Sequence, residues 1–150
     1  MGLLFMDKAT NPIEWIKQAK AELDVAEHLN SAYYPKPLEI ICFHAQQVAE
    51  KSVKAVLLKQ ANGTSIRKTH DISQLLDNVD INECPFDEKF YDYADELFPY
   101  GVVTRYPIQL QDDINEYRLK RAMRFANEIW SWANRFVCGD TAENSQEKNK

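Results

Sequence analysis

Turn-making residues are scarce in this chain, with 4 glycines and 6 prolines among 150 residues. So few breaks favour long elements joined by short connections. Cysteine is scarce too. Cys42, Cys84 and Cys138 are odd in number, widely spaced and form no CxxC pair. That argues against a disulfide framework or a zinc site and for a reducing compartment. Three scattered histidines make no metal-ligand pattern, and no metal or cofactor is expected. No apolar run approaches the roughly 18 residues of a membrane span. The opening Leu3-Leu4-Phe5-Met6 is too short for a signal-peptide core and has no basic region before it. Met6 stands where a myristoylation pattern needs Ser or Thr. The chain is read as soluble and cytoplasmic, with no membrane partner. A glycine-rich phosphate loop, HExxH and a supported Ser-His-acid arrangement are all absent, so those catalytic signatures do not apply.

What is present is a globular composition. Hydrophobic residues make up 45% and charged residues 27%, enough apolar content for one ordinary domain to bury a core. The reading is a single helical domain over residues 1–138 and a disordered polar tail over 139–150, where periodicity stops. The net charge of −5 hides an asymmetry. Residues 51–70 carry Lys51, Lys54, Lys59, Arg67 and Lys68 with no carboxylate, while residues 71–99 carry nine carboxylates against Lys89 alone. A local anion site is therefore compatible with an acidic protein.

Five helical segments follow from caps and periodicity. Asn11, Pro12 and Glu14 read as N-cap, first-turn proline and capping-box acid. Ile16, Ala19, Leu23, Ala26 and Leu29 then recur at three- and four-residue steps, until Tyr33-Tyr34-Pro35-Lys36-Pro37 ends the helix. A second helix spans about Leu38 to Gln60, closed by Asn62-Gly63, with Ile41, Ala45, Val48, Ser52 and Ala55 on a small, apolar face. A short third helix runs to Leu76 with Thr69 or Asp71 as cap. A fourth, capped by Asp87, presents Phe90, Tyr93, Ala94 and Leu97 and is ended by Pro99. After a connection over residues 101–107, the last helix covers about Asp112 to Val137, with Ala122, Phe125, Ile129, Trp132 and Phe136 in its core stripe. Tyr117, Trp130 and Ala133 lie partly outside that stripe and are the expected dimer face. The fold class is all-α, an up-and-down bundle of four to five helices, two or three of them long.

Four sets of residues could carry chemistry, and each has a plainer reading. His44, Gln47, Lys51 and Lys54 stand in one line on the second helix and could bind an anion or nucleotide. Charged stripes are usually solvated, with Glu50 and Lys54 as an i,i+4 pair, and some members could instead serve packing, with His44 hydrogen-bonded. His70 and Asp71 suggest a base and its orienting carboxylate, but neighbours on a helix do not face each other, so capping is the better reading. Arg105 could grip a phosphate while Tyr106 stacks on a base; alternatively Arg105 ties its loop to Asp92, Asp95 and Glu96. Arg118, Lys120, Arg121 and Arg124 could meet RNA or an acidic partner, or form an exposed face balanced by Asp113 and Glu116.

The stretch Phe43-His44-Ala45-Gln46-Gln47-Val48-Ala49-Glu50-Lys51-Ser52-Val53-Lys54-Ala55 resembles the second helix of the HEPN family (higher eukaryotes and prokaryotes nucleotide-binding). Thr69-His70-Asp71-Ile72 and Thr104-Arg105-Tyr106-Pro107 resemble two further segments of that family, in the same order. The resemblance implies a helical bundle that commonly forms a homodimer and a role connected with nucleotides or RNA. Nuclease members of the family carry an arginine, four to six residues and then a histidine on the last helix. Here Arg67 is the first arginine and His70 the last histidine, so that motif is absent. With no catalytic residue assigned, the resemblance implies a non-catalytic partner of a minimal nucleotidyltransferase in a toxin–antitoxin-like two-gene module. The alternatives are a stand-alone nucleotide- or RNA-binding module and a ribonuclease with a rearranged active site. The ligand-binding candidates are His44, Gln47, Lys51, Lys54, His70, Arg105 and Tyr106.

Overall fold

Asn11 starts the first helix as its sequence predicts, its side-chain oxygen accepting from the Ile13 N–H at 3.0 Å. The computed structural model describes residues 11–60, 68–103 and 114–139. Among these residues there are five helices and no strand: α1 Pro12–Ala32, α2 Leu38–Gln60, α3 Ile72–Leu76, α4 Lys89–Val103 and α5 Glu116–Cys138. The long α2 is the hub, packing on α1, α5, α4 and α3. Its face of Ile41, Ala45, Val48, Ser52 and Ala55 is fully buried, because small side chains let neighbouring helices approach closely.

Two helix ends depart from the sequence reading. Pro99 does not end α4, which continues through it to Val103. Proline in a helix interior removes one backbone bond, but the packing of Leu97 and Tyr100 against the core holds the helix together. The last helix starts at Glu116 rather than near Asp112, because Asn115 adopts extended backbone and its side chain accepts from the Arg118 N–H at 2.9 Å. It ends where Gly139, at φ 69°, donates its N–H to the Arg135 carbonyl, a conformation that suits a residue without Cβ. Asp71, not Thr69, caps α3, and Asp87 accepts from the Lys89 N–H at the start of α4. Asn62-Gly63, residues 104–107 of the expected connection and all but the first residue of the expected tail lie outside the described residues.

The core gathers apolar faces from all five helices, and burying a side chain such as Phe125 contributes about 1.5–3 kcal/mol. Tyr93 of α4 stacks on Phe125 of α5 at 3.9 Å between ring centroids. Phe86 and Phe90 meet Trp132 edge to face, and the Trp132 indole donates to the Pro85 carbonyl at 2.9 Å. The expected dimer stripe is largely taken up inside the chain. Ala133 is fully buried, and Trp130 packs against the core with its indole donating to the Ile16 carbonyl. Of the three residues expected on that face, Tyr117 alone remains exposed.

A polar ladder on the second helix as the candidate functional site

Helical spacing sets Gln46, Glu50 and Lys54 one turn apart on α2, and all three side chains are buried. Buried polar groups need partners, and these find one another. Gln46 Nε2 donates to Glu50 Oε1 at 3.2 Å and to the His70 backbone carbonyl at 3.3 Å. Lys54 Nζ donates to Glu50 Oε2 at 3.1 Å and lies over the Trp15 ring. Gln47 extends the chain by donating to Gln46 Oε1 at 2.7 Å. His70 closes it from the start of α3, with Nδ1 3.1 and 3.3 Å from the two Glu50 oxygens.

Beside this chain lies a second group formed across the α1–α2 interface. Lys51 is paired with Glu22 of α1. The other Glu22 oxygen lies 3.7 Å from His44 Nδ1, and neither of those buried atoms makes a hydrogen bond. His44 is thus not hydrogen-bonded at Nδ1, although its side chain is largely covered beside Glu22 and Phe43.

The structure therefore brings His44, Gln47, Lys51, Lys54 and His70 to one side of α2, together with three residues that the sequence reading did not select as ligands. Gln46 and Glu50 were legible as helix neighbours of Gln47 and Lys54, but not as buried. Glu22 had no signal at all, since only packing places it against Lys51. The face is not a solvated stripe: Lys54 is 7% exposed, and the Lys51 side chain is largely covered. The expected Glu50–Lys54 pair is present, inside the protein rather than on its surface. His70 and Asp71 do not form a dyad. Asp71 caps α3 through the Ser73 N–H at 3.0 Å, and the carboxylate that meets His70 comes from α2.

Arg105 and Tyr106 lie outside the described residues. Of the acidic groups expected to hold Arg105, Glu96 is gripped by Arg121, whose Nε and Nη2 reach its carboxylate at 2.9–3.1 Å. Asp95 accepts from the Ser73 hydroxyl at 3.2 Å. The cationic run on α5 is thus partly turned to internal use, with Arg121 also lying over Tyr117 and Phe125 and Arg124 over Phe125. Glu116 pairs with Lys36 at 2.9 Å, tying the start of α5 to the α1–α2 connection.

Among the groups with displaced pKa values, Cys42 lies one turn before Gln46 on α2, and the Tyr100 hydroxyl of α4 is raised by burial and by Cys42. Burial pushes the Cys42 thiol up to about 12. Burial, helped by the hydrogen bond and charge of Glu128, pushes the Tyr93 hydroxyl up to about 12. Among the described residues no three His, Cys, Asp or Glu side chains are grouped to hold a metal ion. None of their helices is long and apolar enough to cross a membrane.

No curated protein is significantly similar to this chain. Among solved structures, TT1696 from Thermus thermophilus superposes with a TM-score of 0.68 at 24% identity, covering 83% of this chain and 96% of that one. That likeness is one of fold. ST0689, described as an archaeal HEPN homologue, superposes with a TM-score of 0.62 at 28% identity, covering 85% of this chain and 98% of its own. The HEPN domain matches residues 13–136, so the bundle and its polar ladder belong to a member of the HEPN family.

Proposed function

We propose that this HEPN protein acts by binding rather than by catalysis, as the partner of a minimal nucleotidyltransferase in a toxin–antitoxin-like two-gene module. The observation that carries the reading is the occupancy of the ladder. Glu22 holds Lys51, and Glu50 holds Lys54 and faces His70. A ribonuclease needs a cation free to clamp phosphate and an imidazole free to move a proton beside it. Here the two lysines of the ladder are paired with carboxylates, and no arginine is followed by four to six residues and then a histidine in the sequence.

A binding role also accounts for exposed apolar side chains. Phe98 and Val102 are exposed one turn apart on α4, Tyr117 in the first turn of α5, and Tyr33, Tyr34 and Ile40 around the α1–α2 connection. The Lys36–Glu116 pair joins the start of α5 to that connection. Exposed apolar clusters of this kind serve protein contacts. We assign the homodimer to the exposed apolar side chains of α4 and α5, Phe98, Val102 and Tyr117. Nucleotide or RNA contact is assigned to His44, Gln47, Lys51, Lys54 and His70 with Arg105 and Tyr106. A phosphate arriving there must displace a carboxylate from Lys51 or Lys54, so its binding is weak and salt-sensitive.

Co-expression with the product of the adjacent gene tests the main reading. Co-purification with a nucleotidyltransferase, without cleavage of single-stranded RNA by the purified chain, is expected. RNA cleavage abolished by His70→Ala would replace it with the rearranged ribonuclease. RNA binding without cleavage and without a protein partner would leave the stand-alone binding module.

A further inference from the structure

The chain has three histidines in three environments. His28 is exposed on α1, His44 is partly covered near Glu22 without a hydrogen bond at Nδ1, and His70 meets Glu50. The last pairing is directional. The Glu50 side chain is 5% exposed and that of His70 56%, so the Nδ1 edge of the imidazole points inward and its opposite edge, with Nε2, points to solvent. Glu50 is held from two other sides by Gln46 and Lys54, both donating to its oxygens, so the carboxylate serves as the acceptor of the ladder. An ionised carboxylate can only accept, so Nδ1 carries the proton and Nε2 keeps its lone pair. The same carboxylate stabilises the positive ring that forms when Nε2 attacks an electrophile, which is how an oriented imidazole becomes a better nucleophile.

We propose that His70 is a phosphoryl-acceptor site, modified at Nε2 by a donor of the phosphoramidate class. The Nε2 lone pair attacks phosphorus and an N–P bond forms as the P–N bond of the donor breaks. The electron pair of that bond leaves with the amine, which takes a proton from water. Nδ1 keeps its proton, the ring becomes a phosphorylated imidazolium facing Glu50, and no oxidant or reductant is needed. Lys68, exposed two residues before His70, makes no ion pair among the described residues and can face an anionic substituent. The neighbouring carboxylate of Asp71 is engaged by the Ser73 N–H, and that of Asp95 by the Ser73 hydroxyl.

The full-length chain treated with potassium phosphoramidate tests this, with mass spectrometry reading the rate at each histidine and phosphorus NMR reading the ring position. His70 should be modified at Nε2 about tenfold faster than the exposed His28, and the excess should vanish in denaturing urea, where Glu50 no longer faces it. Glu50→Gln should bring His70 down to the His28 rate while leaving His28 unchanged. A native His70 no faster than His28, or modified at Nδ1, overturns the proposal. A folded Glu50→Gln protein that keeps the fast rate overturns it as well. If that variant does not fold, the comparison of native and urea-treated wild-type protein decides.

Discussion

Gly101 of α4 lies directly against the carboxamide of Gln46 on α2. A Cβ added at Gly101 would sit 2.8 Å from Gln46 Cδ and 2.9 Å from Oε1. Gln46 has little freedom to give way, because it is buried and bonded to Glu50, Gln47 and the His70 carbonyl. The glycine lets a helix approach the polar ladder closely, and so links α4 to the site.

Gly101→Ala should therefore destabilise the fold by about 1–3 kcal/mol, the usual range for forcing extra volume into a packed interior. Urea unfolding followed by circular dichroism measures it. A change within experimental error would show that Gln46 can rotate aside at no cost.

Removing Glu50 should cost more than removing Lys54. Glu50→Ala strands a buried ammonium and frees Gln46 and His70, and loss of one partner of a buried pair costs about 3–5 kcal/mol. Lys54→Ala leaves Glu50 with Gln46 and His70, so its cost should be the smaller of the two. Equal or reversed values in chemical denaturation would mean that Lys54 anchors the network.

Alkali should unfold the protein through Tyr93 and Cys42. Both groups titrate as acids, and folding raises both to about 12 from ordinary values of 10.0 and 9.0. The neutral forms are favoured in the folded state, so this stability is complete below about pH 9. It is lost progressively as pH rises from there towards 12. Thermal unfolding midpoints measured across that range should fall, and Tyr93→Phe should flatten the part of the fall above pH 10. An unchanged profile in that variant would assign the loss to other groups.

Thiol labelling should separate the cysteines. Cys42 and Cys84 are buried and Cys138 is partly exposed at the end of α5, and burial pushes the Cys84 thiol up to about 11. The thiolate is the reactive form. At pH 8 a disulfide reagent should modify Cys138 first and the other two only on unfolding.

The proposed dimer should respond to α4 and α5. Sedimentation at micromolar concentration should show a dimer of the 17.4 kDa chain, and Tyr117→Glu or Phe98→Glu should return it to monomer, since a charge at an apolar contact is costly. A wild-type chain sedimenting only as monomer would remove the dimer from the proposed function.

Local rules made much of this protein legible before any packing was known. Asn11, Asp71 and Asp87 accept backbone N–H bonds at helix starts because a short polar side chain can reach two or three residues ahead. The stripe of α1 and the small face of α2 are buried as their spacing implies, since helical period alone decides which residues share a face. The segments around Phe43–Ala55 and Thr69–Ile72 pointed to the HEPN family for the same reason that the fold forms, namely that each carries its own pattern. Pro99 misled because proline propensity is local, whereas the packing of Leu97 and Tyr100 that carries α4 past it is not.

Whether a polar residue is a ligand or an internal brace depends on what lies opposite, and one sequence does not contain that. Lys51 reads as a free cation because its own segment holds no carboxylate after Glu50, which is matched with Lys54. The folded chain sets Glu22, a residue of another helix, against Lys51. It buries the Glu50–Lys54 pair that would have been weak in water. His70 found its carboxylate not in its neighbour Asp71 but twenty residues back, across the α2–α3 junction. The sequence determined which residues become helix, cap and core, because those depend on neighbours within a turn or two. Only the tertiary structure decided which charges meet, because desolvation and pairing are set by helices that the chain brings together from far apart.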